Sequence, residues 1–440
     1  MQTSTIKFSQ IEDRIDAEYY KPEYLEVKEK LDKNKGIKFL GDIVNVIMNG
    51  VEFRTYSFSG KPYLRVSDIK EVFMDLSDVK YIPENIEFSK DIELLDDDVL
   101  TSRSGTLGIS AIAPKAGSII SSHLIRISPK KEINSYYLVV FLNSKYGRLQ
   151  ILQKNNGAVV PEINQPSLKS LKIPIPPQSF QQKIEKIVKE AQKKRRLADE
   201  KYKEAEEILN KELGLKDLDL FTQKTFEAKF SETEDRFDPE YYQPKYKKII
   251  SKFKSQKSKL LSEIVKISNK KLDPTKNPST EIKYIELANI NGSNGIIEDC
   301  ETYKHWQLPG RARMLIRNGD VLVSSLSGSI DKVGLAAEEY DGQVASTGFF
   351  VVNSNVSNSE TLFLIFRNKI ISGQLERNTR GAIMSAISEN EFRNIIIPVL
   401  SQSLQQRISS LIQQSFKLRQ EAKELIDRAK KEVEEMVENK

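Results

Sequence analysis

The chain has 440 residues, of which 39% are hydrophobic and 30% are charged, and its formal net charge is +6. This length predicts two or three domains, and the single cysteine, Cys300, excludes an internal disulfide. No N-terminal basic-plus-apolar signal and no apolar run of about 18 residues is present, so we expect a soluble, cytoplasmic protein with no membrane association.

A mixed polar and aromatic segment near the start of the chain recurs in its second half. The string FSQIEDRIDAEYYKPEY, residues 8–24, returns as FSETEDRFDPEYYQPKY, residues 230–246. Shorter matches continue along both halves, for example DVL at residues 98–100 and again at 320–322. The offset between matches changes by only a few residues. The chain is therefore a tandem duplication with small insertions in loops, and it should form two similar domains.

Each half is predicted to be an α+β domain. A first helix should begin at Asp16 and run through Leu31. Short apolar runs between turn residues then predict strands at residues 63–66, 99–102, 109–113, 119–120 and 124–127. Residues 133–153 interrupt these strands with apolar side chains at helical spacing, which predicts one helix.

Two long helices are predicted, one at the end of each half. After an extended segment at residues 173–177, apolar residues keep a heptad spacing over residues 184–208, and the second half repeats this over residues 404–436. Each helix has about 35 residues and is about 50 Å long. A solvated single helix or a homodimer zipper is an alternative. The alanine-rich first seam, interrupted by Lys194 and Lys201, favours pairing within the chain.

The repeat also predicts how the chain closes. The first long helix leads into the second copy of the repeated block, whereas the first copy has no helix before it. If two antiparallel helices relate the halves by a pseudo-twofold axis, the block containing Phe8, Arg14, Asp16 and Tyr20 should pack against the end of the second helix, near Val437. We therefore predict a cyclic arrangement that brings both termini together.

The residues that common catalytic sites require are missing. The chain has two histidines, His123 and His305, and one cysteine, so we expect neither a duplicated histidine site nor a zinc cluster. No phosphate-binding glycine loop and no dinucleotide-binding motif is present. Asp98, whose counterpart is Asp320, precedes a predicted strand, and we interpret it as a turn or cap residue rather than a metal ligand. We expect no cofactor on this chain.

Polar loops at equivalent places in the two halves are the best candidates for binding. Residues 101–105 and 323–328 carry hydroxyl groups, and residues 154–156 and 377–380 carry amide and basic groups, all of which suit phosphate oxygens and base edges. For any single residue, a merely solvated loop is the alternative. The full set of candidate DNA-binding residues is Arg65, Arg103, Ser104, Lys154, Asn155, Asn156, Asn289, Ser325, Ser327, Lys332, Arg377, Asn378 and Arg380.

The paired motifs resemble those of the specificity subunit of type I restriction-modification systems. They are the blocks DAEYYKPEY and DPEYYQPKY, the strands YLRVSDI and YIELANI, the segments DVLTSRSGTLG and DVLVSSLSG, and the joints IPIPPQSFQQKI and IPVLSQSLQQRI, each of which leads into a long helix. The joints differ where residues 175–177 are Ile-Pro-Pro and residues 399–401 are Val-Leu-Ser. The resemblance covers essentially the whole chain.

The resemblance implies a DNA-recognition subunit with no catalysis of its own. Each half would carry a target recognition domain for one half of a split DNA site, and the two helices would hold the domains apart and dock two methyltransferase subunits. S-adenosylmethionine, ATP and Mg would be bound by partner methyltransferase and restriction/translocase subunits. The implied domains are target recognition domain 1 at residues 1–177, a central spacer helix at 178–213, target recognition domain 2 at 214–400 and a C-terminal spacer helix at 401–440.

A function from a different class is also compatible with the duplication. The chain could be a coiled-coil scaffold or adaptor that binds protein partners through its two α+β domains. Dependence of DNA binding on salt separates the two hypotheses, since only phosphate contacts give a steep slope.

Overall fold

A computed structural model describes residues 5–6, 11, 14–89, 92–114, 116–157, 160–215, 222–233, 236–254, 257–381 and 385–439. The chain forms two compact units: unit 1 comprises residues 1–196 and 419–440, and unit 2 comprises residues 197–418. The beginning and the end of the chain therefore belong to one unit, as the predicted cyclic arrangement requires. Phe8, which entered that prediction, lies outside the described residues.

Both units combine helices with sheets, which confirms the predicted α+β class. The helices are α1 (Pro22–Lys33), α2 (Ser135–Asn143), α3 (Lys145–Gln153), α4 (Gln165–Lys169), α5 (Gln178–Glu212), α6 (Pro244–Lys254), α7 (Leu261–Ile264), α8 (Ser359–Arg367), α9 (Lys369–Arg377), α10 (Glu389–Arg393) and α11 (Gln402–Glu438).

The strands of unit 1 are β1 (Ile37–Phe39), β2 (Val44–Asn49), β3 (Lys61–Leu64), β4 (Lys80–Ile82), β5 (Val99–Ser102), β6 (Ser110–Ile112), β7 (Ile119–Ile120), β8 (Leu124–Pro129) and β9 (Lys172–Pro174). Those of unit 2 are β10 (Ser258–Leu260), β11 (Val265–Ile267), β12 (Glu281–Ile285), β13 (Glu301–Lys304), β14 (Ala312–Leu315), β15 (Val321–Ser324), β16 (Val333–Leu335), β17 (Val344–Ser346), β18 (Phe349–Ser354) and β19 (Ile396–Pro398).

In unit 1 a central antiparallel sheet lies between helices and a second sheet. The strand order is β2-β8-β5-β6 in the central sheet and β4-β3-β7 in the second. Successive residues of a strand point to opposite faces. Val99 and Ile127 accordingly belong to the core shared with α2, α3 and the long helices, whereas Leu100 and Leu124 belong to the core that includes Leu64 of the second sheet.

Unit 2 repeats this topology. Its central sheet has the order β11-β18-β15-β16, and its second sheet has the order β13-β12-β17-β14. The second sheets of both units contain one parallel pair, β3 with β7 and β12 with β17. Strand β14 extends the second sheet of unit 2, and the sequence analysis did not predict it.

Within each unit, one part of α5 packs against one part of α11. Apolar residues of the predicted heptad seams lie in the cores of both units, Ala191 and Ala429 in unit 1 and Ala205 and Ile408 in unit 2. As the residue number rises along α5, the number of the contacting residue on α11 falls, so the two helices pack antiparallel. The polar contacts that show this are Lys183–Glu432 (2.7 Å) and Lys194–Glu421 (2.6 Å) in unit 1, and Ala198–Ser415 (2.8 Å) and Glu204–Arg407 (3.7 Å) in unit 2. These contacts confirm the intramolecular coiled coil.

The prediction of a single helix at residues 133–153 was wrong, because α2 and α3 are two separate helices. Ser144 between them is extended, with φ −70° and ψ 166°, and its side chain accepts a hydrogen bond from the Gly147 main chain to begin α3. Gly147 also permits the close crossing, since a Cβ atom there would lie 2.2 Å from the Phe141 carbonyl oxygen. A local cap therefore overrides the continuous apolar pattern.

Candidate nucleic-acid interface

Two loops that carry candidate residues meet in unit 1. One follows β5 (residues 103–108) and the other follows α3 (residues 154–163), and we call them loop pair 1; residues 158–159 lie outside the described part. The main-chain nitrogen of Ile163 donates to the oxygen of Arg103 (3.0 Å), and that of Asn156 donates to the oxygen of Glu162 (2.8 Å). The fold thus brings Arg103, Ser104, Asn155 and Asn156 together across about 50 residues of sequence.

Loop pair 2 in unit 2 is built in the same way from residues 325–332 after β15 and residues 378–388 after α9, of which 382–384 are not described. The main-chain nitrogen of Ile387 donates to Ser325 (2.9 Å), and that of Arg380 donates to Ala386 (2.8 Å). Isolated bridges also correspond, Ser104 with Glu162 in unit 1 and Leu326 with Ala386 in unit 2. The loops that the sequence offset placed in register are therefore structurally equivalent.

A carboxylate neighbours an arginine in each loop pair. Arg103 forms an ion pair with Glu162, and Arg380 forms one with Glu391. Ser104 Oγ lies 2.7 Å from Nδ1 of His123, where the direction of the bond depends on the histidine tautomer. These arginines are held by their own unit, and a phosphate or guanine edge would compete with the carboxylate or use the N–H groups that the ion pair leaves free.

Several candidate amide groups stabilise the loops themselves. The side-chain oxygen of Asn155 accepts from the main chain of Gly157 (3.0 Å) and of Glu162 (2.8 Å). Asn378 donates to the Gln374 carbonyl (2.9 Å), and Asn156 accepts from Ser167 (3.1 Å). Such residues shape the loop, and any contact with DNA would use their remaining bonding capacity.

The other candidates are distributed between the loops and their borders. Lys154 is the C-cap residue that follows α3. The main-chain nitrogen of Ser327 donates to the Ser385 carbonyl (2.9 Å), and Ser325 Oγ donates to the Gly348 carbonyl (2.9 Å). Arg377 stacks on the Tyr241 ring at 3.8 Å.

Three candidates contact residues elsewhere in their units. Arg65 pairs with Asp68 (2.9 Å) and Asp78 (3.3 Å) beside the second sheet of unit 1. In unit 2, Asn289 accepts from the Glu286 main chain (2.7 Å), and Lys332 donates to the neighbouring Ile290 carbonyl (3.0 Å).

The prediction that Arg14 closes the chain against the second long helix was wrong. Its Nη1 donates to the carbonyl oxygen of Asn155 (2.7 Å), in loop pair 1. Helix α1, which follows the block, is the element near the end of α11: Lys30 pairs with Glu438 (3.5 Å), and Leu31 shares a core with Val437. The sequence analysis gave Arg14 a structural role and did not include Arg14 or its counterpart Arg236 among the candidate binding residues, although their strict repetition at the same place in both halves was an available signal.

The described residues contain no group of three His, Cys, Asp or Glu side chains placed to hold a metal ion. Burial raises the pKa of Cys300 to about 11, so its thiol is protonated and a poor nucleophile at neutral pH. Among the helices in the described part of the chain, none is long and apolar enough to cross a membrane.

Comparison with known proteins gives consistent findings. The family described as "Type I restriction modification DNA specificity domain" matches residues 32–207 and 227–431. Two similar proteins of Methanocaldococcus jannaschii are the putative type I restriction enzyme MjaX specificity subunit, 23% identical over 94% of this chain and 96% of that protein, and the type I restriction enzyme MjaVIII specificity subunit, 22% identical over 87% and 89%.

Similar solved structures include the S subunit of a type I restriction-modification system from M. genitalium, with 14% identity over 92% of this chain and 98% of that one and a TM-score of 0.45. Another is the HsdS subunit from Thermoanaerobacter tengcongensis, with 16% identity over 92% and 96% and a TM-score of 0.29.

Proposed function

This chain belongs to the type I restriction-modification DNA specificity domain family, and from that membership we propose that it recognises a split DNA site, with loop pair 1 contacting one half-site and loop pair 2 the other. Family membership supports DNA recognition as the general function. The more specific part of the proposal is that each unit recognises one half-site, and its support is the structure of loop pairs 1 and 2.

The observation that carries the proposal is a shared loop backbone with different side chains. Both loop pairs use the same main-chain hydrogen bonds, yet Arg103 and Ser104 in unit 1 correspond to Ser325 and Leu326 in unit 2. Direct readout depends on which donors and acceptors face the base edges. Two equivalent scaffolds with unlike side chains suit two different half-sites.

Methyl transfer and DNA cleavage belong to partner subunits in this proposal. The similar proteins are named specificity subunits of restriction enzymes. Two methyltransferase subunits, one for each of the two similar units, would bind S-adenosylmethionine. Restriction/translocase subunits would bind ATP and Mg. The long helices α5 and α11 would set the distance between half-sites and offer the docking surface.

A salt titration of DNA binding separates this function from the adaptor alternative. Association that neutralises about six phosphates should weaken about 10³-fold between 50 and 200 mM salt. The measurement is a gel shift or anisotropy titration of the full chain with a duplex pool at several salt concentrations. A flat salt dependence would favour the adaptor and contradict DNA recognition.

Arg103→Ala should weaken binding to the selected site by about 1–3 kcal/mol if the arginine reads a base. Arg103 is 30% exposed and its carboxylate neighbour is Glu162, so a base edge has to compete with that ion pair. The matched control is Glu162→Gln, which removes the competitor and should leave affinity equal or increase it. If Arg103→Ala changes neither affinity nor base preference, Arg103 does not contact DNA.

A further inference from the structure

We propose that Arg14 and Arg236 are positioning residues, each of which holds the second loop of its loop pair in the conformation that contacts DNA. The proposal rests on the proposed DNA recognition, and it assigns a role to the repeated block that contains these arginines.

In unit 1 the Arg14 guanidinium binds two partners at once. Its Nε and Nη2 donate to the two carboxylate oxygens of Asp16 (2.7 and 3.1 Å), and its Nη1 donates to the main-chain oxygen of Asn155 (2.7 Å). The guanidinium carbon lies 5.1 Å from the centre of the Tyr19 ring, and the Tyr20 hydroxyl donates to the Arg14 carbonyl (2.6 Å).

Unit 2 contains the same arrangement. Arg236 donates to both oxygens of Asp238 (2.8 and 2.7 Å), to the Arg377 carbonyl (3.3 Å) and to the Thr379 carbonyl (2.9 Å). Its guanidinium carbon lies 4.4 Å from the centre of the Tyr241 ring. Asn155 and Thr379 each lie two residues after the end of their helix, α3 and α9, so the bonds from Arg14 to Asn155 and from Arg236 to Thr379 are equivalent. Both units therefore tie the block to the loop after the equivalent helix.

A second bond ties the same segments together. Gln153 donates to the Tyr19 carbonyl (3.0 Å) in unit 1, and Arg377, which occupies the corresponding place at the end of α9, donates to the Tyr241 carbonyl (3.2 Å) in unit 2. The donor differs between units while the bond remains, which indicates that the contact itself is required.

Holding this loop also holds the groups expected to meet DNA. The side chain of Asn155 accepts from the Glu162 main chain (2.8 Å), and Glu162 pairs with Arg103. In unit 2, Thr379 immediately precedes Arg380, which bonds to Ala386 through its main chain (2.8 Å). A binding surface is effective when its geometry is fixed before the ligand arrives.

Asp16 caps a short 3₁₀ helix, Ala17–Tyr20, which explains the aspartate but not the arginine. Asp16 accepts from the Tyr19 main chain (3.2 Å), and the hydrogen bond from Arg14 lowers the pKa of this carboxyl, as Arg236 lowers the pKa of Asp238. Neither effect needs a third bond to a loop 141 residues away. Only a guanidinium presents a planar fork to a carboxylate and a further N–H to a carbonyl; a lysine ammonium cannot reproduce this geometry.

The test compares Arg14→Lys with Arg14→Ala, and Arg236→Lys with Arg236→Ala, in the full chain. Both Arg14 variants should raise amide hydrogen exchange in residues 154–157 and 160–163 about tenfold and weaken binding about tenfold, the effect of one lost charge-assisted hydrogen bond. The binding loss should concern only one half of the site that the wild type selects from a random duplex pool. Both Arg236 variants should affect residues 378–381 and 385–388 and the other half-site.

Arg428→Lys and Arg407→Lys are the controls. They alter exposed α11 arginines that form ion pairs, Arg428 with Glu432 in unit 1 and Arg407 with Glu204 of α5 in unit 2, and should change neither measurement. Lysine variants that retain affinity while alanine variants lose it would mean that Arg14 acts through charge alone, and would overturn the proposal. Unchanged loop exchange, or faster exchange with unchanged DNA affinity, would overturn it as well. A wild-type chain with no specific DNA binding would instead contradict the proposed function, while loop exchange would still test the contact.

Discussion

Asp98→Ala should lower the free energy of unfolding of unit 1 by about 3–5 kcal/mol, which is the cost of removing one partner of a buried ion pair. Asp98 Oδ2 lies 2.6 Å from Nε of Arg126, and both side chains are at most 5% exposed. Arg126 also donates to the Glu93 carbonyl (2.8 Å). Removal of the carboxylate would break an ion pair whose two side chains are both buried, which is far more costly than the loss of an exposed pair.

The duplication supplies the matched control. Asp320 also precedes a central strand and accepts from the Arg317 main chain (2.9 Å), but its side-chain partner is Asn353 (3.0 Å), a neutral amide. Asp320→Ala should therefore cost only about 1–3 kcal/mol. Strand-resolved hydrogen exchange under mild denaturant, together with thermal unfolding, would measure each unit separately. Equal losses for the two variants would show that the charge of Arg126 is not the cause.

The cap role of Asp98 was predictable from sequence, and its ion pair was not. The prediction of a turn or cap is confirmed, because Asp98 accepts from the Leu95 main chain (2.7 Å) and Asp320 accepts from that of Arg317. Arg126 lies within the apolar run that predicts β8, and its neighbour across the sheet depends on strand register: Arg126 is opposite Leu100, whereas Val351 is opposite Leu322 in unit 2. Local propensity carries no information on that register.

In the candidate interface, too, the position of the loops was predictable from sequence and their contacts were not. An offset that changes by only a few residues was enough to identify equivalent loops, since tandem copies keep their fold. The ion pair between Arg103 and Glu162 joins residues far apart in sequence, so it could not be read from either loop alone. Arg14 was assigned to the wrong neighbour for the same reason. It bonds to Asn155, which is far away in sequence, and Lys30 of α1 is the residue that pairs with Glu438 at the end of α11.

Removal of two heptads from each long helix should reduce affinity for the selected split site by about 10²–10⁴-fold, the gain that simultaneous engagement of two linked sites provides. Residues 188–201 of α5 and 412–425 of α11 are suitable because the antiparallel pairs Lys183–Glu432 and Glu204–Arg407 remain on either side. The deletion shortens each helix by about 21 Å. That distance corresponds to about six base pairs of B-DNA, more than half a helical turn, so the second half-site would also face the wrong side of the duplex.

The direction of the change distinguishes a ruler from a damaged protein. Binding to a duplex that carries a single half-site should fall much less than binding to the split site, because loop pairs 1 and 2 lie outside the deleted residues. The deletion also removes Val188, Ala191 and Ala422 from the core of unit 1 and Ile412 from that of unit 2, so single half-site binding reports whether each unit still folds. Selection from a duplex pool with variable spacers should then recover sites with a shorter spacer, or sites in which bending of the DNA brings both half-sites to the same face of the duplex. Retention of the original spacing at full affinity would contradict a measuring role for α5 and α11, and loss of single half-site binding would mean that the deletion had unfolded a unit.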